Sequence, residues 1–334
     1  MLSVVLPTRN EDMCAFTVRR LFESRQGCAL DVIVIEDGSP KQYDFMEPPA
    51  GCRLRFERLP INIGLCYCRD MGIAMADYDA VLVLDAHSNF YDTDRWAWKL
   101  AAYSQANPTH LGCAVSVQLR PESMDMDHDP TRDDKPPGRY RGAGLIMCGV
   151  DSNQRHSVFP SKWGLPTKWG VEDGEARHMA GEVVEVQTVL GGAYILSKSW
   201  YMDGLRRPWR DLRGWGTSEQ SISIPNWLLG GTNVLMPVEI GHMYRTAQYH
   251  LVPYRTRYAD IYWNQWRLAH ALPIPERLRG QLLAHIQKNE TWIHAPQTIA
   301  IQMREFPPGP YQDYLACAPR TWAEYVERWK VELP

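Results

Sequence analysis

Val81-Leu82-Val83-Leu84-Asp85-Ala86-His87 is the stretch of this chain that decides the fold. Four apolar residues of strand type are followed directly by a carboxylate, and an imidazole comes two positions later. An unbroken apolar run of this kind is typical of a strand that is buried on both faces of a parallel α/β sheet. Such sheets bind their ligands beyond the carboxyl ends of the strands. The stretch therefore predicts a ligand site at a sheet edge, beside Asp85 and His87.

The pairing of Asp85 with His87 favours a divalent cation. Because a single residue separates them, a modest bend at the strand end can aim both side chains at one ion. A carboxylate oxygen and an imidazole nitrogen together suit Mn²⁺, Mg²⁺ or Zn²⁺, and such an ion at a strand end usually bridges phosphates. We therefore expect a metal-bound nucleotide here. The alternative for Asp85 is a turn or helix-capping carboxylate.

The residues before this stretch repeat a strand–helix rhythm. The first strand begins at Leu2, and the second ends in the turn Glu36-Asp37-Gly38-Ser39-Pro40. The second strand is predicted for 31–35, further strands for 54–59 and 81–84, and helices for 11–24 and 65–76. This order predicts an α/β domain whose sheet is mostly parallel, with right-handed crossovers and helices on its faces.

The second half of the chain continues the sheet and then turns helical. Strand character over 183–196 is interrupted by Gly191-Gly192, and a strand over 234–240 leads into Gly241-His242-Met243-Tyr244-Arg245. A helix over 218–229 contains Pro225, which predicts a kink or a late start. We expect a main domain over 1–250, divided into a nucleotide-binding half (1–120) and an acceptor-side half (121–250). Residues 251–334 are interpreted as a helical extension packed on the sheet.

Composition narrows the function classes. The chain has 334 residues and a formal net charge of −3, which argues against a protein held to nucleic acid by phosphate contacts alone. Its eight cysteines form no C-x-x-C pair, so we expect reduced thiols. No apolar run approaches the length of a membrane span, and a strand beginning at Leu2 leaves no room for a signal peptide. A cytoplasmic protein of bacterial or phage origin is the expectation.

Three motifs resemble the GT-A class of nucleotide-sugar glycosyltransferases, and within it the polypeptide N-acetylgalactosaminyltransferases. Asp85-Ala86-His87 is similar to that family's D-x-H, and Gly241 to Arg245 is similar to its G-H-x-[FY]-R. Ala259-Asp260-Ile261-Tyr262-Trp263-Asn264-Gln265-Trp266 resembles its A-E-V-W-M-D-E-Y. The order and spacing of the motifs over roughly residues 2–270 predict a GT-A fold with a C-terminal helical extension.

The resemblance implies a metal site and a nucleotide pocket. Asp85, His87 and His242 would ligate Mn²⁺ (or Mg²⁺), and the ion would bind the diphosphate of a UDP-sugar donor. The alternative for His242 is a histidine satisfied in a structural network. The other residues that the resemblance assigns to the donor are Thr8, Arg9, Asn10, Glu36, Asp37, Arg69, Gly191, Gly192 and Arg245.

A departure from the family lies at Gly214-Trp215-Gly216-Thr217-Ser218-Glu219, where the family has W-G-G-E. Counted from Trp215, Ser218 takes the place of the family's glutamate; counted back from Gly231, Glu219 does. We favour Glu219 as the acidic residue of the sugar and acceptor pocket. Trp215 would belong to a loop that closes over the donor. Glu219, Trp215 and Arg69 are thus the predicted catalytic residues.

The predicted activity is metal-dependent transfer of a hexose or N-acetylhexosamine from a UDP-sugar to an acceptor hydroxyl, with retention of anomeric configuration. The acceptor stays open between a peptide Ser or Thr, a glycan, and a hydroxymethylated base of viral DNA. The family's membrane anchor and lectin domain have no counterpart here, which again favours a cytoplasmic enzyme. The arginine-rich segment 205–213 could hold an anionic acceptor, or could be a loop with salt bridges. The rival hypotheses are a non-catalytic UDP-sugar-binding protein on the same fold and a metal phosphoesterase.

Overall fold

The computed structural model describes residues 1–24, 26–90, 94–119, 139–140, 143–144, 165–166, 180–189, 192–243, 257–290 and 309–331. The strands are β1 (Leu2–Thr8), β2 (Leu30–Glu36), β3 (Arg53–Arg58), β4 (Ala80–Leu84), β5 (Ser88–Asn89), β6 (His110–Gln118), β7 (Arg139–Tyr140), β8 (Ala143–Gly144), β9 (Leu165–Pro166), β10 (Val184–Glu185), β11 (Ala193–Ser197) and β12 (Thr232–His242). The helices are α1 (Cys14–Glu23), α2 (Leu65–Met75), α3 (Trp96–Ala106), α4 (Ser218–Leu228), α5 (Tyr258–Ala271), α6 (Glu276–Glu290), α7 (Gly309–Ala316) and α8 (Trp322–Trp329), with one π-helical turn at Trp200–Gly204.

One large sheet has the strand order β10-β12-β6-β11-β4-β1-β2-β3, and β5 and β7 pair with β12 and β6. The β1–β2, β2–β3, β1–β4 and β6–β12 pairs are parallel. The predicted α/β architecture, with a mostly parallel sheet, flanking helices and helices after the sheet, is confirmed. In the described part of the chain no helix combines the length and apolar character that a membrane crossing needs.

β11 determines where the site forms. It runs antiparallel to both β4 and β6, so these two strands share one direction, and β12 follows β6 in parallel. The carboxyl ends of β1, β2, β4, β6 and β12 therefore lie at the same edge of the sheet. Asp85, which follows β4, and His242, which ends β12, are brought to that edge by strand direction alone.

Two layers of apolar side chains sandwich the sheet. Because side chains alternate along a strand, Val4 and Val5 of β1 enter different clusters. On the first face the sheet packs against Val18 of α1 and Leu100 of α3, and on the second against Ile73 of α2. All seven residues of β1 and of β2 are buried, which accounts for their mostly apolar sequences.

The apolar side chains of the helical extension pack mainly on α4, and Arg328 of α8 also pairs with Glu185 of the sheet strand β10. The extension forms a separate core with α4, in which Trp227 lies edge-on to Tyr325 at 5.3 Å between ring centroids. Arg320 donates to the carbonyl oxygens of Trp227 (3.0 Å) and Gly231 (2.7 Å). α4 thus stands between the sheet and the extension.

α4 begins at Ser218, the predicted start, and Pro225 lies inside it. The late start that the proline allowed is therefore not needed. Leu229 N–H donates to the Pro225 carbonyl at 2.9 Å, so the helical hydrogen bonding continues past the proline to the end of the helix.

Candidate active site

Three potential metal ligands meet at the carboxyl edge of the sheet. Asp85, His87 and His242 each place one ligand atom within 4.8 Å of the others; we call them the strand-end cluster. His242 Nε2 lies 3.2 Å from Asp85 Oδ2, and the two imidazole rings are 4.8 Å apart between centroids. A carboxylate oxygen and two imidazole nitrogens form a donor set that fits Mn²⁺.

The short strand β5 explains how His87 reaches His242. β5 pairs antiparallel with the end of β12, so that Ser88 lies opposite His242. Met243 N–H also donates to the His87 carbonyl at 3.1 Å. The chain therefore turns sharply after Asp85 and runs back beside β12, which puts both histidines on one side of the carboxylate.

Two residues of the first helical segment hold this turn, and the sequence analysis missed both. Thr17 Oγ1 donates toward the carbonyls of Ala86 (3.1 Å) and Ser88 (2.9 Å) and accepts from Ser88 N–H (3.0 Å). Glu11, only 4% exposed, places Oε2 3.3 Å from His87 Nδ1. A carboxylate behind a ligating histidine is a recurrent feature of metal sites, and it sets which ring nitrogen faces the ion. The sequence signal for Glu11 is weak, because an acidic residue at a helix start has ordinary uses.

Arg69 is buried at the centre of the site. Its Nη2 donates to Asp85 Oδ1 at 2.9 Å, and its guanidinium lies 5.2 Å from the Tyr194 ring centroid and 5.4 Å from that of Trp209. Among the described residues, Nε and Nη1 of Arg69 have no hydrogen-bond partner although both are buried. Burial lowers the pKa of Arg69, but the charges of Asp85 and Glu219 more than compensate, so the group stays cationic. Arg69 is therefore a fixed positive charge whose Nε and Nη1 donors are not used by the described residues.

The charges of the cluster suit metal ligation. Burial raises the pKa of the Asp85 carboxyl, but the hydrogen bond from His242 and the charge of Arg69 outweigh it, and the net pKa lies well below the usual range. Burial lowers the pKa of His242, whereas the hydrogen bond to Asp85 raises it. Burial has the larger effect, so the pKa of His242 lies below its usual value. Asp85 is therefore ionised and His242 neutral near pH 7, the forms in which each binds a cation.

Gly192 supplies close packing beside the cluster. Its carbonyl accepts from Asp85 N–H at 2.7 Å. A Cβ at this position would lie 2.3 Å from Cδ2 of His242 and 3.2 Å from Cβ of Asp85. Only glycine fits, because any side chain would displace the histidine ring. The predicted partner Gly191 and the predicted donor residue Arg245 lie outside the described residues.

The end of β1 carries Thr8, Arg9 and Asn10, as the sequence predicts. Thr8 Oγ1 lies 3.3 Å from the Tyr43 hydroxyl, and Asn10 is exposed with a φ of 53°. Arg9 donates to the Asp37 carbonyl at 2.6 Å, which ties the ends of β1 and β2 together. The three residues thus line the edge of the sheet on the side of β2.

The two acidic residues after β2 have different environments. Glu36 is fully buried and accepts from the Tyr43 hydroxyl through Oε2, whereas its Oε1 has no partner in the described part of the chain. Asp37 accepts from the backbone of Ile63 (2.7 Å) and Gly64 (3.0 Å) and from the Asn62 side chain. Its carboxylate therefore fastens the segment before α2, a task that the sequence analysis did not assign to it.

Glu219 lies in the first turn of α4 and reaches the sheet. Its Oε1 accepts from the Tyr194 hydroxyl at 2.8 Å, and its Oε2 accepts from Ser218 Oγ at 2.8 Å. Tyr194 belongs to β11, two positions after Gly192. Of the two candidates for the family's glutamate position, Glu219 is thus the side chain that turns toward Tyr194 and Arg69, and Ser218 supports it.

The arginine-rich segment 205–213 is largely used in packing. Arg207 forms a bidentate bond with Asp70, at 3.0 and 2.7 Å. Arg206 lies over the ring of Tyr314 at 3.9 Å from the centroid, and Trp209 is fully buried. The interpretation as a loop with salt bridges fits these contacts better than an open cationic patch does.

Comparison with known proteins finds similarity to one family and to individual relatives. Residues 3–142 match the family described as glycosyl transferase family 2. The chain is 23% identical over 260 residues to polypeptide N-acetylgalactosaminyltransferase 8 of Drosophila melanogaster, which covers 75% of this chain and 39% of that relative. The chain thus spans about two fifths of the curated relative's length.

A solved structure shows the same fold. The crystal structure of GalNAc-T7 with UDP, GalNAc and Mn²⁺ superposes with a TM-score of 0.66 and 15% identity, over 98% of this chain and 56% of that one. S. aureus TarS 1–349 in complex with UDP-GlcNAc matches at a TM-score of 0.48 and 12% identity, over 98% of this chain and 81% of that one. The predicted GT-A fold and the resemblance to polypeptide N-acetylgalactosaminyltransferases are confirmed.

Proposed function

We propose, from the match of residues 3–142 to glycosyl transferase family 2 and from the GT-A fold, that this chain is a metal-dependent, retaining transferase. It moves a hexose or N-acetylhexosamine from a UDP-sugar to an acceptor hydroxyl. The observation that carries the proposal is the strand-end cluster of Asp85, His87 and His242, with its ligand atoms within 4.8 Å of one another. The presence of UDP and Mn²⁺ in the GalNAc-T7 structure supports it.

Asp85, His87 and His242, the three residues of the strand-end cluster, would hold Mn²⁺. The ion would act as a Lewis acid toward the diphosphate that leaves the sugar. Arg69 adds a second positive charge, because its guanidinium is buried beside Asp85 and its Nε and Nη1 have no partners in the described residues. A guanidinium with unsatisfied donors is a strong binding group for phosphate oxygens.

Glu219 is proposed to orient the sugar rather than to attack it. Both of its oxygens accept hydrogen bonds, from Tyr194 and from Ser218, which lowers their nucleophilicity and fixes their direction. Retention then follows from departure and attack on one face of the sugar. The bond from the anomeric carbon to the β-phosphate oxygen breaks, the acceptor oxygen bonds to the same carbon, and the acceptor's proton passes to the β-phosphate. The protein contributes position and charge stabilisation.

The test is release of UDP from a panel of UDP-sugars with Mn²⁺ and three acceptors: a peptide containing Ser and Thr, an oligosaccharide, and DNA containing hydroxymethylcytosine. We expect EDTA, His87→Ala and His242→Ala to abolish release. His110→Ala is the matched control, since His110 begins β6 at the opposite edge of the sheet. Full activity in both cluster variants contradicts the proposed metal site. Calorimetric UDP binding without turnover on any acceptor would instead support the non-catalytic sugar-nucleotide binder.

A further inference from the structure

Asn264 of α5 holds the loop that carries Trp215. We call residues 213–216 the Trp215 loop. Asn264 Oδ1 accepts from Arg213 N–H at 2.9 Å, and Asn264 Nδ2 donates to the carbonyls of Arg213 (2.8 Å) and Gly216 (2.9 Å). The Asn264 side chain is fully buried. One amide therefore satisfies three backbone groups on the two sides of Trp215.

The same loop is pressed between two helices. Gly214 bridges to Gly64, and the Gly214 carbonyl accepts from Leu65 N–H, the first residue of α2, at 3.0 Å. A Cβ on Gly64 would lie 2.3 Å from Gly214 N, and a Cβ on Gly214 would lie 2.4 Å from the Asp260 carboxylate. The loop backbone thus fills the whole space between the start of α2 and α5.

The Trp215 loop, held by Asn264, connects two groups of the site. α2 carries Arg69 one turn after Leu65, and Glu219 follows the Trp215 loop at the start of α4. Moving the loop would therefore shift Glu219 and loosen the start of the helix that carries Arg69. Since the backbone is held on both sides of Trp215, any closure over a donor is confined to the Trp215 side chain.

From this arrangement we propose that Asn264 is a positioning residue for sugar transfer, acting through the Trp215 loop. The inference rests on the proposed function. Asn264 lies in the segment Ala259 to Trp266, which resembles a family motif but has no functional role assigned from the sequence. It contacts the loop across 51 residues of sequence. Its effect is on the placement of Trp215 and Glu219 and not on the strand-end cluster.

A buried asparagine of purely structural value is the competing explanation, and Asn226 offers the matched control. Asn226 is also fully buried; it donates to Asn233 Oδ1 at 3.0 Å and accepts from Trp200 Nε1 at 2.8 Å. It lies in α4, near the end of the helix away from Glu219. Asn264→Asp and Asn226→Asp each keep the acceptor oxygen and the shape but replace the donating amide.

The experiment compares these two variants with the wild type. Hydrogen–deuterium exchange of peptides covering 211–217 reports on the loop, calorimetry reports the Kd for UDP with Mn²⁺, and steady-state kinetics separates kcat from KM. We expect Asn264→Asp to raise loop exchange at least fivefold and to lower kcat at least tenfold, with the UDP Kd changed less than twofold. Asn226→Asp should leave loop exchange and kcat within twofold of the wild type, even where its Tm falls as far as that of Asn264→Asp. Asn264→Ala, which removes the amide without adding a charge, should show the same pattern as Asn264→Asp.

Two results overturn the inference. One is unchanged exchange over 211–217 in both Asn264 variants, since the amide then does not hold the loop. The other is an equal loss of kcat in the Asn264 and Asn226 variants, which identifies a general effect of a damaged core. If the wild type transfers no sugar, the proposed function fails, and the exchange measurement alone decides whether Asn264 clamps the loop.

Discussion

The strand-end cluster and the Trp215 loop lie at one site, but different forces hold them. Asp85 and His242 stand at the ends of strands whose backbone pairing continues for several residues behind them. The Trp215 loop is held by an isolated bridge between Gly64 and Gly214 and by hydrogen bonds with the Asn264 side chain of α5. Sheet hydrogen bonds form a cooperative ladder, whereas the loop is held by a few contacts that one substitution can remove. A substitution in the strand-end cluster should therefore change its chemistry strongly but its position little. A substitution at the Trp215 loop should change the position of the loop more than the chemistry of the site.

The largest expected effect is that of Asp85→Asn. The variant loses the anionic ligand and leaves the buried Arg69 guanidinium without its carboxylate. We expect sugar transfer to fall by ~10³-fold, the upper range for loss of one electrostatic group at a reaction centre. The free energy of unfolding should fall by about 3 kcal/mol, because a buried charge then lacks its partner. UDP release and urea unfolding measure the two effects.

Asp77→Asn is the control for that variant. Asp77 also pairs with an arginine, Arg53, but both side chains are about half exposed. Its loss should leave transfer unchanged and stability nearly so, because exposed pairs contribute little. Equal damage from the two substitutions would mean that Asp85 serves only as a partner for Arg69.

Glu219→Gln tests the loop side of the comparison. The glutamine keeps the length of the side chain but removes the negative charge that accepts hydrogen bonds from the Tyr194 and Ser218 hydroxyls. We expect kcat to fall by ~10²-fold while Mn²⁺ and UDP affinities stay the same, since the cluster is untouched. Calorimetry and steady-state kinetics check this. A loss of UDP affinity that matches the loss of kcat would place Glu219 with the nucleotide rather than with the sugar.

Glu11→Gln probes the support behind the cluster. Glu11 Oε2 lies 3.3 Å from His87 Nδ1, and we expect it to keep a proton on that nitrogen and to leave Nε2 for the ion. Replacing such a carboxylate typically weakens metal binding by ~10-fold or more. Electron paramagnetic resonance of Mn²⁺ measures the affinity directly. Glu23→Gln, at the exposed end of α1, should leave it unchanged.

The smallest effect concerns thiol chemistry beside the loop. Cys66 is fully buried in the first turn of α2, and burial raises its pKa to about 12, whereas Cys317 in the extension is exposed. At pH 8 roughly 10⁻⁴ of a thiol with that pKa is ionised, so Cys66 should label only after unfolding. Mass mapping after brief treatment with iodoacetamide should find Cys317 alkylated and Cys66 not. Early labelling of Cys66 would show that the packing between α2 and the Trp215 loop opens in solution.

The part of the site that follows from strand direction could be predicted from the sequence. The apolar run 81–84, the turn after β2 and the His242 motif each mark a strand end, and parallel strands bring their ends to one edge. Placing Asp85, His87 and His242 together needed only that rule and the family's motif order.

The remaining part depends on contacts between distant side chains, for which local sequence carries no signal. Thr17 locks the turn at Ser88 across 71 residues, and Asn264 holds Arg213 across 51. Threonine in a helix and asparagine in a helix have many ordinary uses, so neither residue type identifies its partner. The sequence did not reveal the core that the extension shares with α4 for the same reason: periodicity reveals an apolar face but not the surface that covers it.

The reversal at β11 has a consequence for how this protein can change. β6 ends at Gln118, opposite His242, and β11 begins at Ala193, opposite Leu84, so the long connection between them leaves and rejoins the sheet at the carboxyl edge. Its two anchor points flank the strand-end cluster. Within the connection β7 and β10 pair with β6 and β12, so a segment exchange that spares these two strands would keep the strands that carry Asp85 and His242 in place. The chain thus offers a natural splice point for building hybrid enzymes.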